Sequence, residues 1–435
     1  MKSLAAGFGR VAYSLLILLL SVIASRVFSV EWYSFFREFF MYFMIGVAIS
    51  GIPATNAIYY FTERDFSSFA KNLLLSFVFL LAAFFLLLIF KQSGVIAPAF
   101  VLSASSALFL SLEGVFMSKH MIKRVVLLNL FEALSILMPI FFVIQNKNRP
   151  DLFFTALLAF SLLKTCLYFL SIALVLKNDT EKYKLREIFA YSSPLFLNGL
   201  FGAFSKQTDK YMVSVTCSAH SFAEYSTGAF EVPLVSRFFG GVFHEKGECI
   251  RKMVVEGEHL KVRKLLSGLF RKSFIFLSLL TLALFINARW VMNVLFTSAY
   301  SDSYRYFIVY LTVLPLRVFP FGFILSLKGK TKHVFAVSLI DALLTLALSY
   351  AFLKMFGLAW VAFAFVISTS LSVFLLVFFM KEIFPYKDFL TRYMSLAVLM
   401  AVSYYFSFVL QKPIHANLIL VLLWPMEMVF RRMER

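Results

Sequence analysis

Charge is scarce in this chain. Only 15% of its 435 residues are Asp, Glu, Lys or Arg, while 61% are hydrophobic. That shortage excludes a soluble globular protein and points to long apolar runs held in a membrane. Acid is scarcer than base: 23 acidic residues stand against 42 basic ones, for a net charge of +19. In a soluble protein such an excess would suggest nucleic acid. Here most cations fall in short connections between apolar runs, so no nucleic-acid partner is expected. Cysteine is nearly absent. Cys166, Cys217 and Cys249 lie far apart, which excludes a disulfide framework and any metal or redox spacing. The six histidines form no cluster, and there is no Walker A loop, HExxH helix or nucleophile elbow. No catalytic machinery, no cofactor and no self-contained ATP-driven pump are therefore expected.

What is there is apolar sequence in helical lengths. About 20 apolar residues cross a bilayer as one helix, and on that measure about fourteen spans are expected. They fall near 8–29, 39–61, 71–90, 95–113, 122–144, 152–176, 187–215, 221–243, 268–287, 304–326, 334–354, 358–380, 392–410 and 414–430. The fold class is an all-α polytopic membrane protein. The first run superficially resembles a signal peptide, but it is long and no convincing small-residue cleavage site follows, so it reads as a retained span.

The connections test the count. With the N-terminus in the cytoplasm, the inner segments hold about 28 Lys and Arg and the outer ones about 9, as the positive-inside rule requires. A miscounted span would scramble the alternation, so both termini are expected to be cytoplasmic. A polar joint at 178–185 separates an N-terminal six-helix half, 1–177, from a C-terminal six-helix half, 187–381. Two further helices occupy 392–430. The longest connection, 244–267, is basic and suited to anionic head groups on the cytoplasmic face. Tyr13-Ser14 and Tyr191-Ser192 open corresponding helices, and Pro53 and Pro233 follow at similar spacing, a weak sign of the six-plus-six repeats found in transporters.

Charges inside spans are costly and mark functional paths or internal pairs. The cations are Lys164, Lys206, Lys210, Arg237 and Arg317; the acids include Glu132, Asp209, Glu224, Glu231 and Asp341. In the seventh span, Asn198, Gly202, Lys206, Asp209 and Lys210 follow steps of three and four and so share a helix face. Lys210 suits either that face or snorkelling to the outer interface. Arg317 and Asp341 lie at matching depth about their turn, as do Lys164 and Glu132, and each couple suits a structural ion pair. Arg237 and Glu231 are six residues apart and each needs its own partner. A buried Glu231 could carry a coupling proton. Cations converging on one cavity would suit a diphosphate or an acidic sugar.

Around the seventh and eighth spans the sequence resembles the polysaccharide-transport branch of the multidrug/oligosaccharidyl-lipid/polysaccharide flippase superfamily, the Wzx-like repeat-unit flippases. The residues that carry the likeness are Tyr191-Ser-Ser-Pro-Leu-Phe-Leu-Asn-Gly-Leu, Gln207-Thr-Asp-Lys-Tyr-Met-Val and Phe222-Ala-Glu-Tyr-Ser-Thr-Gly-Ala. Tyr310-Leu-Thr-Val-Leu-Pro-Leu-Arg, Gly329-Lys-Thr-Lys and Phe356-Gly-Leu-Ala-Trp-Val-Ala extend it over roughly 190–380. Ala223-Glu224 departs from the small–hydrophobic pair usual in the family. The resemblance implies two six-helix bundles around a central cavity, with two extra C-terminal helices. It implies alternating access that carries an undecaprenyl-diphosphate-linked oligosaccharide across the cytoplasmic membrane for O-antigen or related surface polysaccharide. Lys206, Lys210, Arg317 and Arg237 are then the candidate substrate cations, Asp209 sets their geometry, and Glu231 and Asp341 are candidate ion-coupling sites. Expected partners are the lipid-linked oligosaccharide, membrane lipids, and a polysaccharide polymerase and glycosyltransferases. Two other readings stand beside it: a drug/cation antiporter of the same superfamily, which would prefer an acidic cavity, and a membrane-embedded polymerase or ligase, which would need a larger outer loop.

Overall fold

The computed structural model describes residues 2–61, 94–118, 121–145, 150–175, 184–232 and 250–405 apart from 251, 255, 318, 320 and 329, with scattered residues between 74 and 85. Every regular element among them is helical. Six helices are long and apolar enough to cross a membrane: Ile96–Phe116, Lys123–Gln145, Leu152–Ser171, His259–Ile286, Lys332–Phe356 and Leu358–Phe379. The expected span 414–430 lies outside the described residues, as does most of 71–90. The chain divides into two compact units, Met1–Ser226 with Phe335–Ser368, and Thr227–Val334 with Thr369–Arg435.

The first unit is built on α1 (Lys2–Val27), α2 (Val30–Phe61), α3 (Ile96–Ser118), α4 (Ile122–Ser135), α5 (Leu137–Gln145), α6 (Pro150–Val175) and α7 (Leu185–Thr216). The helix α2 packs on α3 and α7, α3 on α6, and α1 on α4 and α5. Phenylalanine does much of the joining. Phe36 and Phe153 meet at 5.8 Å, Phe28 and Phe153 at 6.0 Å, and Phe39 and Phe154 at 5.4 Å, edge to face or tilted. The close approach of α2 to α3 depends on Gly46, where a Cβ would stand 2.2 Å from Ser103 Oγ. Ser103 uses that room to donate to the Phe43 carbonyl of the neighbouring helix and to Ala99.

One boundary differs from the sequence expectation here. The helix α2 begins at Val30 rather than near 39. Glu31, Arg37 and Glu38 interrupt the apolar window, yet they lie on helix whose first turn is anchored by Ser29, which accepts from Trp32 and Tyr33 N–H. The expected span 122–144 is present as Lys123–Gln145, with one turn residue at Ile136, itself of right-handed helical dihedrals, between α4 and α5. Pro139 has no N–H for the Ser135 carbonyl and its ring crowds that turn.

The second unit holds α9 (His259–Ile286), α10 (Ala288–Leu295), a 3₁₀ turn Ser298–Ser303, α11 (Tyr304–Leu311), α12 (Leu314–Arg317), α13 (Phe321–Leu327) and α16 (Tyr386–Tyr404). Three helices, α8 (Ala219–Gly228), α14 (Thr331–Phe356) and α15 (Leu358–Phe379), are divided between the units. Phe270 of α9 gathers Phe319 at 5.6 Å, Phe384 at 5.2 Å and Phe389 at 5.6 Å.

The expected spans 221–243 and 304–326 are not continuous. The helix α8 stops at Gly228, and 229–232 are non-helical. At Gly228 a Cβ would stand 2.0 Å from the Ser303 carbonyl oxygen, and Pro233 biases Val232 away from helix. The segment 304–327 is three short helices separated at 312–313 and around Phe319. Pro315 denies the Leu311 carbonyl its donor, and Thr312 and Val313 close only three-residue turns to Val309 and Tyr310. Conversely, the expected basic connection 244–267 turns helical at His259, and the connection between the expected spans 268–287 and 304–326 contains α10.

Candidate functional site

One face of α7 carries the polar contacts of the first unit. Ser338 of α14 donates to Asn198 Oδ1 at 3.0 Å. One further stretch along, Ser205 donates to Asp341 Oδ2 at 2.5 Å. A turn later, Tyr225 of α8 donates its phenol to Asp209 Oδ2 at 2.6 Å. Steps of seven and four put Asn198, Ser205 and Asp209 on one helical stripe. Behind it, Thr345 and Ser368 share a hydrogen bond at 2.6 Å between α14 and α15.

Asp209 is wholly buried and Lys210 is 8% exposed. The Lys210 ammonium turns back to donate to the Lys206 carbonyl at 3.2 Å and stands 3.7 Å from Asp209 Oδ1. It also lies 6.0 Å from the centre of the Phe365 ring. Lys210 is therefore held inside and does not snorkel to an interface. Lys206 is exposed, and a Cβ at Gly202 would meet open space. The face expected from sequence is thus divided by burial: Asp209 is buried, Asn198 and Gly202 are half-buried, and Lys206 is exposed. Ser205 belongs to the inward stripe and carried no sequence signal beyond its spacing.

The start of α2 supplies a second group that charge-free windows hid. Arg37 donates through Nε to Ser226 Oγ at 3.2 Å and through a second nitrogen to the Ser226 carbonyl of α8. Glu38 is buried, receives the Tyr42 phenol at 3.5 Å and interacts electrostatically with Tyr211 of α7. Arg37 and Glu38 therefore tie α2 to α7 and to α8.

The pair Lys164–Glu132, expected from depth alone, is formed at 3.0 Å between α6 and α4. Asp341 is half-buried and accepts from Ser205. Its expected partner Arg317 closes α12, and the Arg317 side chain lies outside the described residues. Arg237 also lies outside them. Glu231 is half-buried on the non-helical stretch after α8. Irregular backbone at membrane depth is tolerated where protein or a water-filled cavity covers it, so Glu231 sits at a more specialised place than mid-helix. Among the described residues no group of three or more His, Cys, Asp and Glu could hold a metal ion.

Solved structures were compared with this architecture. A lipid II flippase MurJ in an inward closed conformation matches with a TM-score of 0.65 at 17% identity, over 98% of this chain and 99% of that one. The chain has the fold of the MOP superfamily transporters. An inward-facing multidrug resistance MATE family transporter of that superfamily matches with a TM-score of 0.60 at 15% identity, over 88% of this chain and 95% of its own. An outward-facing one matches at 0.57 and 14%, over 91% and 96%. No protein-family model matches the chain, and no curated protein sequence does. With this fold and six long apolar helices among the described residues, the chain is a multi-pass membrane protein.

Proposed function

We infer that this protein is a flippase for a lipid-linked oligosaccharide. It moves an undecaprenyl-diphosphate-linked repeat unit from the cytoplasmic to the outer leaflet of the inner membrane by alternating access between two helical bundles, for O-antigen or a related surface polysaccharide. The observation that carries the reading is the end-to-end likeness to a lipid II flippase, 98% of one chain against 99% of the other. The Wzx-like motifs at 191–229 and the cations on α7 support the same substrate class. Lys206, with its exposed side chain, is the contact for diphosphate or acidic sugar, with Arg237 and Arg317 as further cations. Asp209 and Lys210 hold that turn of α7 in place. Asp341, backed by Ser205, and Glu231 are the ion-coupling carboxylates. A polymerase and glycosyltransferases would supply and consume the substrate.

The test is complementation of a flippase-null strain. Wild type should restore surface polysaccharide. Lys206→Ala should leave the protein in the membrane at normal level and cause lipid-linked repeat units to accumulate on the cytoplasmic leaflet. Full activity in Lys206→Ala would remove the cationic contact from the proposal, and failure of the wild type with several repeat-unit donors would remove the flippase itself.

One observation favours a drug/cation antiporter instead. Among the described residues the buried carboxylates Glu38, Glu113, Glu132 and Asp209 outnumber the buried cations Lys164 and Lys210. Lowered susceptibility to cationic drugs on expression, without complementation, would select that reading.

A further inference from the structure

A second buried ion pair in the first unit lies away from α7. Glu132 of α4 and Lys164 of α6 are 3% and 5% exposed. The Lys164 ammonium donates to Glu132 Oε1 at 3.0 Å, to Glu132 Oε2 at 3.1 Å and to Ser135 Oγ at 3.2 Å, which uses all three of its protons. The Tyr168 phenol donates to Glu132 Oε2 as well. Ser135 ends α4, where Pro139 leaves its carbonyl without the usual donor. A cavity of about 40 Å³ opens beside the ammonium, large enough for water. Its walls include Leu20, Phe40, Phe43 and Phe160, and Ser161 adds a hydroxyl. Glu132, Lys164 and Tyr168 are the titratable groups at this place; the faces given by α1, α2, α3 and α5 are uncharged.

Carboxylate oxygens and a hydroxyl beside a cavity of water size are hard oxygen donors, the kind that suits a small alkali cation. In this chain the position among them is filled by an ammonium on a tether. We propose that Glu132 and Ser135 form a monovalent-cation site whose resident cation is the Lys164 side chain. The first unit then carries its cation covalently, and this site takes no ion from solution. Ion coupling in the protein falls to carboxylates elsewhere. The proposal stands on this unit's geometry and does not depend on the flippase reading.

The test removes the tether. Lys164→Ala is purified in detergent, and its thermal midpoint is followed in sodium, potassium or methylammonium chloride against N-methylglucamine chloride at constant ionic strength. A cation that binds the folded state raises the midpoint with its concentration. Lys164→Ala should gain such a rise, largest for sodium or methylammonium, beyond any response of wild type. Lys164→Ala/Glu132→Gln should lose the gain. No added response in a folded Lys164→Ala would overturn the proposal. So would a wild-type sodium response that Glu132→Gln abolishes, because the site would then take its ion from solution. If Lys164→Ala cannot be recovered in any of these salts while the double variant can, only the tethered ammonium satisfies Glu132, and the proposal fails as well.

Discussion

Asp209 of α7 meets both Tyr225 and Lys210. Its buried carboxylate receives the Tyr225 phenol and stands against the Lys210 ammonium. Asp209→Ala should leave a buried ammonium short of its counter-charge, at a cost on the order of 3 kcal/mol. Asp209→Asn, which keeps an acceptor for Tyr225, should lose less, and thermal unfolding in detergent compares the two. The sequence made Asp209 visible because a carboxylate in an apolar run stands out. It also made the Lys164–Glu132 pair visible, since depth counted from a turn is enough when both partners sit on adjacent helices. It did not show Ser205. A serine in a membrane helix bonds its own backbone at little cost and looks like filler until Asp341 is seen across from it. Nor did it decide Lys210, because the length of a lysine allows its head to turn inward or outward.

At the scale of elements, helix interiors were legible and their interruptions were not. Apolar composition gives a span, whereas a break depends on which carbonyl a proline strands and what covers it. Pro139 and Pro315 both sit inside apolar runs that read as continuous. Pro315→Ala should restore a donor to the Leu311 carbonyl and join α11 to α12. Slower amide exchange across 312–316, read by mass spectrometry, is the expected outcome. The start of α2 was missed for the opposite reason: charges that break an apolar window do not break a helix. A shorter-range tie joins the end of α13 to the turn after α15, where Lys328 donates to Glu382. That hydrogen bond, with the charges of Lys328 and Lys330, holds the exposed Glu382 carboxyl below the ordinary glutamate range. A depressed carboxylate stabilises the folded state above its unfolded pKa, and the gain is lost as pH falls through the folded value. The small difference in melting temperature between wild type and Glu382→Gln should therefore be present at neutral pH and vanish on acidification below that range.

For the whole molecule, hydropathy and the alternation of basic connections carried the class of protein, and the structure supplied the MOP fold. The positive-inside rule predicts both ends in the cytoplasm. A fluorescent-protein fusion at residue 435 should glow and an alkaline phosphatase fusion there should be inactive; the reverse pattern would require an odd number of spans. The interrupted segment 304–327 bears on how such a chain is assembled. A straight apolar helix can leave the translocon alone, because its own backbone satisfies every polar group. This segment is interrupted at 312–313 and around Phe319, where Pro315 supplies no donor, so its own backbone satisfies less of it. Its shelter is α9, which packs on α11 and α12 and is synthesised just before them. Membrane entry here is then an act of two helices rather than one, with the earlier serving as the surface on which the later is received.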